Sequence, residues 1–523
     1  MPDQLESNTR TVMVITAFSR VTGLLRDAVL AFFFGVTELM SSFAFAFLIP
    51  NLFRRLFGEG ALGASFLPVY SQLHKNNPER ASQLASLLIA GLLVVLGAIV
   101  VVGESVLFLM SAMRDHNDNA IWLLMVMLPY MPLVCLVAIL GAMLHVHGRF
   151  GPPAMAPLLL NGAMIATAVG VGLSTGELTA HARLVTMGAI ACSVVIAGLL
   201  QAIWMLWSLR RTVNWTWNRA DATAPLRRVL KAAGPMMLGL GVLQLNTFMD
   251  GIIASYPNLF GTDTVLGQPY PLDTGSMAIL GYAQRLYQFP LGVFGIAVAT
   301  AIYPLLAHQS DDEQAFTSTV RRGLRLVLFI GLPASIGLAL VREPLVACIF
   351  QRGAFTSEDT VQVGAVLLGY AVAIWAYSAN HVLTRTYYAK LDMKTPVRIA
   401  IQMVGLNLLL NLVLIWTPLR TAGLAWSTAA CAILQCILLL RASRVHVENP
   451  LDSTVRNSAM RSCALAMVMG AAVGLVMLGL DHSESLWTNL LNLSLLIAVG
   501  AAVYGGGAVA MGMPELRWAL GRR

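Results

Sequence analysis

Charge is scarce in this chain. Only 11% of its 523 residues are Asp, Glu, Lys or Arg, against 57% hydrophobic, and the mean hydropathy is +0.72. A soluble domain is about 25% charged, so a water-soluble globular protein is excluded. No polar stretch is long enough to fold as a separate soluble domain. Cysteine is also sparse: Cys135, Cys192, Cys348, Cys431, Cys436 and Cys463 all sit in apolar segments without metal-ligand spacing. They read as small core residues, which excludes a disulfide framework. There is no Gly-x-x-x-x-Gly-Lys-Ser/Thr loop, hence no nucleotide motor of that kind. The nine histidines, His145 and His147 among them, form no metal cluster, and no Ser/His/Asp set stands out, so nothing supports catalysis. Residues 1–10 are polar and lack a cleavable signal pattern, so the first apolar segment is expected to stay as a span.

What is present is a succession of apolar runs of about 20 residues or more, the thickness of a hydrocarbon core. Read against their polar punctuation they give about fourteen helices: 11–35, 39–73, 83–111, 120–146, 155–174, 184–209, 226–255, 276–307, 320–342, 360–388, 396–416, 421–441, 459–480 and 486–511. The second run is long enough to be bent. Alternate loops carry the cations, among them Lys75, Arg149, Arg210, Arg211, Arg321, Lys390 and Arg444, while the intervening loops hold most of the acids, such as Glu38, Asp263 and Glu358. The positive-inside rule then places both termini in the cytoplasm. The net charge of +8 is mostly this topology signal, and nucleic acid is not expected as a partner.

The chain also reads as two related halves. Phe66-Leu67-Pro68-Val69-Tyr70 resembles Ile302-Tyr303-Pro304-Leu305-Leu306, Val102-Gly103-Glu104 resembles Val341-Arg342-Glu343, and Gly148-Arg149-Phe150-Gly151-Pro152 takes the place of Lys390 to Pro396. The offset stays near about 240 residues, as an internal duplication requires. Six helices per copy keep the two copies parallel, an arrangement that generally sandwiches a substrate site between two lobes. The expected organisation is all-α and polytopic: a first lobe over 1–220, a second over 221–448, and two added helices with a tail over 449–523.

Several charges fall inside the apolar runs. A cation at the bilayer centre costs about 2.5–3.5 kcal/mol on insertion scales, so such residues usually face a bundle interior or a cavity. Arg20 and Arg26 lie roughly 120° apart around a helix, and Asp27 offers Arg26 a local partner. Arg54 and Arg55 follow the breaker Pro50-Asn51, where freed carbonyls can line a cavity. Arg285 occupies a comparable place in the second half. Guanidinium groups stay charged and bind phosphate oxygens through a planar fork, so an anionic ligand is expected, with structural ion pairing or snorkelling as the alternative. Asp250, isolated in an apolar helix, and Asn407 and Asn411, spaced i, i+4, form with Ser427 or Thr428 a candidate site for a hard cation such as Na+. The alternative is plain hydrogen bonding between helices.

Taken together, Ser19-Arg20-Val21 through Gly23 to Arg26-Asp27, then Pro50-Asn51-Leu52-Phe53-Arg54-Arg55-Leu56-Phe57 and Glu59-Gly60-Ala61, resemble the MurJ (MviN) lipid II flippases, within the multidrug/oligosaccharidyl-lipid/polysaccharide exporter superfamily. Tyr282-Ala283-Gln284-Arg285-Leu286, Phe350-Gln351-Arg352-Gly353-Ala354-Phe355 and Asp392-Met393-Lys394-Thr395-Pro396 extend the likeness over essentially the whole chain. The resemblance implies two six-helix lobes plus two further helices. It also implies transport of lipid II, an undecaprenyl-pyrophosphate-linked peptidoglycan precursor, across the bacterial inner membrane by alternating access. The family's cavity arginines would map onto Arg20, Arg26, Arg54 and Arg285, and Asp27, Arg55 and Glu59 join them as candidate substrate contacts. A Na+ site would take Asp250, Asn407, Asn411 and Thr428. No other cofactor is implied. The expected partners are lipid II and membrane lipids, with the chain acting as a monomer.

The chain departs from the family pattern at three places. Ser41 stands where many members carry Asp, Leu48 where Lys is common, and Gln284 where an acid precedes the arginine. Two other readings remain open: a drug/cation antiporter of the same superfamily, against which an arginine-rich cavity argues, and a membrane enzyme acting on a prenyl phosphate. For the latter the nearest acidic run, Asp311-Asp312-Glu313, reads as a solvated loop.

Overall fold

The computed structural model describes residues 2–58, 60–113, 119–174, 179–218, 221–480 and 486–521, with the side chains of all of these except 2–14, 16, 238–240, 243, 293 and 294. The chain is almost wholly helical. In order the helices are α1 (Pro2–Phe34), α2 (Glu38–Phe53), α3 (Ala61–Asn76), α4 (Pro78–Ala112), α5 (Asn119–Met127), α6 (Tyr130–Val146) and α7 (Gly151–Ser174). There follow α8 (Ala180–Leu209), α9 (Thr223–Ala254), α10 (Tyr256–Phe260), α11 (Ser276–Pro290), α12 (Ala297–His308), α13 (Glu313–Phe350) and α14 (Ser357–Ala371). The last six are α15 (Ile374–Ala389), α16 (Lys394–Leu414), α17 (Thr421–Ala442), α18 (Ser453–Leu478), α19 (Leu486–Ala510) and α20 (Pro514–Ala519). A two-stranded ribbon, β1 (Thr264–Val265) and β2 (Gln268–Pro269), joins α10 to α11.

Each expected apolar segment coincides with one helix or a consecutive run of helices. Among the described residues nine helices are long and apolar enough to cross a membrane, and the bent pair α14 and α15 would be a tenth. The expected segments outside that set are α1, α2 with α3, α9, and α11 with α12. These four carry Arg20, Arg26, Asp27, Arg54, Arg55, Asp250 and Arg285. Of these, α2, α3, α11 and α12 are short, at 16, 16, 15 and 12 residues, because each run is broken.

Two of these runs are broken in the same way. The α2–α3 run passes through a π-helical turn at Arg54–Gly58, and the α11–α12 run through one at Leu291–Ile296. Each follows a proline, Pro50 and Pro290, which cannot donate a helical hydrogen bond. The two turns lie about 240 residues apart, the offset of the sequence repeat. The duplication is thus visible in backbone geometry as well as in side chains. Glycines close the first break: a Cβ on Gly60 would stand 2.1 Å from the Arg55 carbonyl oxygen, and one on Gly63 2.3 Å from that of Gly58.

Helix starts follow from local chemistry. Thr37, Asn77, Thr179, Asp312 and Asp452 each accept a backbone N–H in the first turn of α2, α4, α8, α13 and α18. Thr356 and Asp359 cap α14 reciprocally. Such caps satisfy donors that no helical partner reaches.

The helices divide into two compact units. One comprises Met1–Ala278 with Arg352–Phe355, the other Ile279–Gln351 with Thr356–Arg523. In the first, α1 packs on α7, α7 on α8 and α2 on α5. The short segment Arg352–Phe355 docks on α1, where the Ala354 N–H donates to the Phe32 carbonyl at 2.8 Å. In the second, a core of Phe316, Val320, Leu324, Val382, Leu383, Tyr387 and Leu439 binds α13, α15 and α17. There α20 is anchored by Glu515, only 1% exposed, which accepts from Arg325 Nε at 2.7 Å and Ser458 Oγ at 2.6 Å. Trp518 of α20 lies under both Arg322 and Arg325. Outward faces are apolar rather than polar, as Val94, Val101, Phe108 and Leu109 of α4 show. Hydrocarbon is the matching solvent for such a surface.

Gly353 has φ +61°, and a Cβ there would meet the Phe32 carbonyl oxygen at 2.4 Å. Gly353→Ala should therefore lower the unfolding temperature of the detergent-solubilised protein. The backbone strain alone costs about 1–2 kcal/mol, and the clash adds to it. An unchanged melting curve would contradict this docking.

Candidate functional site

Arg26 is the best defined of the intramembrane cations, at 7% exposed. Its Nε and Nη2 donate to Asp27 Oδ1 at 2.9 and 2.6 Å, and its Nη1 donates to Asn161 Oδ1 on α7 at 3.1 Å. The Phe47 ring of α2 lies 5.8 Å from the guanidinium carbon. Asn161 is itself oriented by donating to Thr22 Oγ1 at 3.2 Å and the Ser19 carbonyl at 3.4 Å. The structural ion pair anticipated for Asp27 is therefore formed, and the arginine is held by three helices. Arg20, one and a half turns earlier, is exposed. The pair Arg20 and Arg26 thus differs in burial, as its angular separation implies.

Arg54 opens the first π-helical turn and donates from Nε to Asn51 Oδ1 at 3.3 Å, while Asn51 Nδ2 donates to the Phe47 carbonyl at 2.8 Å. Phe47 thereby links this turn to Arg26. Arg55 is exposed and Arg54 half-buried. Glu59 lies outside the described residues.

In the second unit Arg285 is exposed on α11. Its neighbour Gln284 donates from Nε2 to Tyr370 Oη at 3.2 Å, and Tyr287 stacks on Tyr370 with ring centroids 4.5 Å apart. Arg385 of α15, which the sequence analysis did not single out, lies over the Tyr303 ring at 5.2 Å. Its position four residues after His381 on a helix was the available signal.

The candidate cation site falls in two parts. Asp250, 6% exposed, belongs to the first unit, where Asn246 Nδ2 approaches its Oδ2 at 3.5 Å. Asn407, Asn411, Ser427 and Thr428 belong to the second. Asn411 Nδ2 donates to Asn407 Oδ1 at 3.1 Å, Asn407 Nδ2 donates to Ser427 Oγ and Thr428 Oγ1 at 3.4 and 3.3 Å, and Ser427 Oγ donates to Asn411 Oδ1. These oxygens are of the type a hard cation accepts. As arranged, they serve as partners for one another and join α16 to α17. Among the described residues no group of three or more His, Cys, Asp or Glu is placed to hold a metal ion.

The Arg26 contacts predict a graded loss of stability. Asn161→Ala should cost about 1–3 kcal/mol, the usual penalty for stranding a buried donor. Asp27→Asn should cost more, about 3–5 kcal/mol, because a buried charge loses its counter-charge. Thermal unfolding of the purified variants checks the order; equal melting temperatures for wild type and Asp27→Asn would contradict the pairing.

Comparison with known proteins places this geometry. The profile of the family described as "Lipid II flippase MurJ" matches residues 30–496. A probable lipid II flippase MurJ of Vibrio cholerae is 32% identical over 94% of this chain and 93% of its own length. One of Haemophilus influenzae is 30% identical over 95% and 98%. The lipid II flippase MurJ of Burkholderia cenocepacia is 31% identical over 84% of each. Among solved structures, a lipid II flippase MurJ in an inward closed conformation superposes with a TM-score of 0.77 at 23% identity, over 98% of this chain and all of that one. An inward-facing MATE family multidrug transporter of the MOP superfamily gives 0.66 at 12% identity over 84% and 96%, a likeness of fold alone. With its arginine-bearing, π-interrupted helices and a family profile that spans nearly its whole length, this chain belongs to the MurJ family of lipid II flippases.

Proposed function

We propose that this integral membrane protein transports lipid II from the cytoplasmic to the periplasmic leaflet of the bacterial inner membrane by alternating access, with both termini cytoplasmic. One observation carries the reading. Arg20, Arg26, Arg54, Arg55 and Arg285 fall within the apolar runs of α1, of α2 with its π-helical turn, and of α11, in a chain of this family that is only 11% charged. The pyrophosphate of the substrate is the anion that Arg20, Arg26, Arg54, Arg55 and Arg285 are proposed to bind, with Asp27 and Glu59 balancing their charge. Arg26 is oriented for this task. Asp27 accepts from its Nε and Nη2 and Asn161 from its Nη1, which fixes the guanidinium and leaves two of its five N–H donors for a phosphate oxygen.

The transport cycle draws on no nucleotide motif. The membrane potential supplies about 2.3 kcal/mol per charge moved across 100 mV, and returning the excess cations of the empty carrier is the proposed use of that energy. Na+ is the finer proposal for coupling, through Asp250, Asn407, Asn411 and Thr428. The mutual hydrogen bonding of the asparagines means that a bound ion would replace amide and hydroxyl donors at oxygens they already occupy. The protein is proposed to act as a monomer. Cationic drugs are the poorer substrate class, because a site furnished with guanidinium groups repels them.

Depletion of the protein should abolish outer-leaflet exposure of lipid II, measured with a leaflet-specific assay, and unchanged exposure would overturn the reading. In the same assay Arg26→Ala, Arg54→Ala and Arg285→Ala should each lose about 1.5–3 kcal/mol of substrate interaction, a tenfold to hundredfold weakening. Full activity at normal expression would remove the residue concerned from the site. Sodium coupling predicts that Na+ removal and Asp250→Ala each slow transport; if both leave the rate unaltered, the ion plays no part.

A further inference from the structure

At one end of α8, outside the site just described, lies a cavity of about 660 Å³. Arg149 of the α6–α7 loop and Arg210 and Arg211 at the end of α8 line it, together with Trp204, Trp207 and Ser208. Among the described residues no Asp or Glu contributes to its wall. Arg149 Nη1 donates to the Ser208 carbonyl, which fixes the loop to the helix end and leaves the other guanidinium donors of Arg149 available. The Arg210 guanidinium lies 4.4 Å from the centre of the Trp207 ring.

Helix rise gives the distance of this cavity from Arg26. Ile15 of α1 and Gly151 of α7 reach its wall, and on the same two helices Arg26 and Asn161 make their intramembrane contact. Along both helix axes the cavity therefore lies about 15 Å from that contact. Its Trp204 and Trp207 are of the residue type enriched at the headgroup level of a bilayer. From the cavity an exposed apolar stripe runs along α8 through Trp207, Ile203, Leu200, Leu199 and Ile196, which from Ile196 are spaced i, i+3, i+4, i+7 and i+11 along one helical face.

We propose that this cavity is a binding site for the phosphate headgroup of an anionic phospholipid, whose acyl chain lies along the α8 stripe. The three guanidiniums meet the phosphodiester, the indoles take the glycerol level, and the stripe favours a lipid over a free phosphate ion. The site is separate from the substrate arginines by its place along the helices and by its residues, so its occupancy is measurable without transport.

The test uses the full-length protein in nanodiscs, with native mass spectrometry to count bound lipid. Phosphatidylglycerol should bind at least tenfold more tightly than phosphatidylcholine, and the triple variant Arg149→Ala/Arg210→Ala/Arg211→Ala should lose that preference. Because Arg149 also braces the Ser208 carbonyl, Arg211→Gln is tested beside it and should lower phosphatidylglycerol occupancy several-fold with an unchanged melting temperature. Equal binding of the two lipids, or an undiminished preference in both variants, would overturn the proposal. So would inorganic phosphate at millimolar concentration displacing the lipid, which would mark a site for the ion itself. A fourth contrary result is loss of lipid II binding in Arg211→Gln with phosphatidylglycerol binding intact, which would assign the cavity to the substrate.

Discussion

A guanidinium placed within a hydrocarbon layer must find its partners in protein, and in this chain that requirement organises the first unit. Arg26 draws on Asp27 of its own helix, Asn161 of α7 and the ring of Phe47 on α2. Hydrophobic attraction cannot align these helices, because lipid tails are as apolar as the side chains they would replace. A buried ion pair with a directed amide contact can, since displacing any member strands a charge. Phe47 extends the arrangement, because its carbonyl receives Asn51, which in turn receives Arg54. A single chain of contacts therefore runs from the α1–α7 interface to the first π-helical turn.

The second unit meets the same requirement mostly with neutral groups. Asn407, Asn411, Ser427 and Thr428 bond α16 to α17, Asn380 Nδ2 donates to the Ala432 carbonyl, and Tyr387 Oη donates to that of Leu439. Its buried acid, Glu515, is matched by Arg325 near the end of the chain. Both units nevertheless keep a π-helical turn after a proline at equivalent positions. A feature that costs regular hydrogen bonds and survives in both halves marks a place where the helix must yield or expose carbonyls.

Much of this was legible in the sequence, and the remainder was hidden for identifiable reasons. Apolar runs located the long helices, though not the short α10 and α20, because the span length and the backbone rule leave few alternatives. The repeat was legible through punctuation, at Pro68 and Pro304 and in the α6–α7 and α15–α16 loops, more than through apolar residues, which any span shares. Asp27 was an evident partner for Arg26 because it is adjacent. Asn161 was not, since it lies on another helix and looks like any amide in an apolar run. Glu515 read as part of a polar tail; only three-dimensional packing turns it into a buried anchor. The mutual hydrogen bonding of Asn407 and Asn411 was predictable from i, i+4 spacing, but whether their oxygens face an ion or one another depends on α17.

Two of the three departures from the family pattern, Ser41 and Gln284, separate two roles that an acid can play. Ser41, wholly buried, accepts the Ala278 N–H at 3.1 Å in the first turn of α11. A hydroxyl thus satisfies a helix-start donor that a carboxylate would also satisfy. Gln284 donates to Tyr370, a contact that needs no charge. Leu48 packs beside Gly251, where a larger residue would collide with its Cδ2. Each neutral replacement is therefore structurally complete and leaves no orphaned group behind. What is lost is charge balance alone. Relative to the family pattern, Ser41 and Gln284 remove two acids and Leu48 removes one cation. If the arginines of α1, the first π-helical turn and α11 bind the pyrophosphate as proposed, the net loss of one negative charge favours that anion, and the contacts of Ser41 and Gln284 show that the fold accommodates the neutral residues.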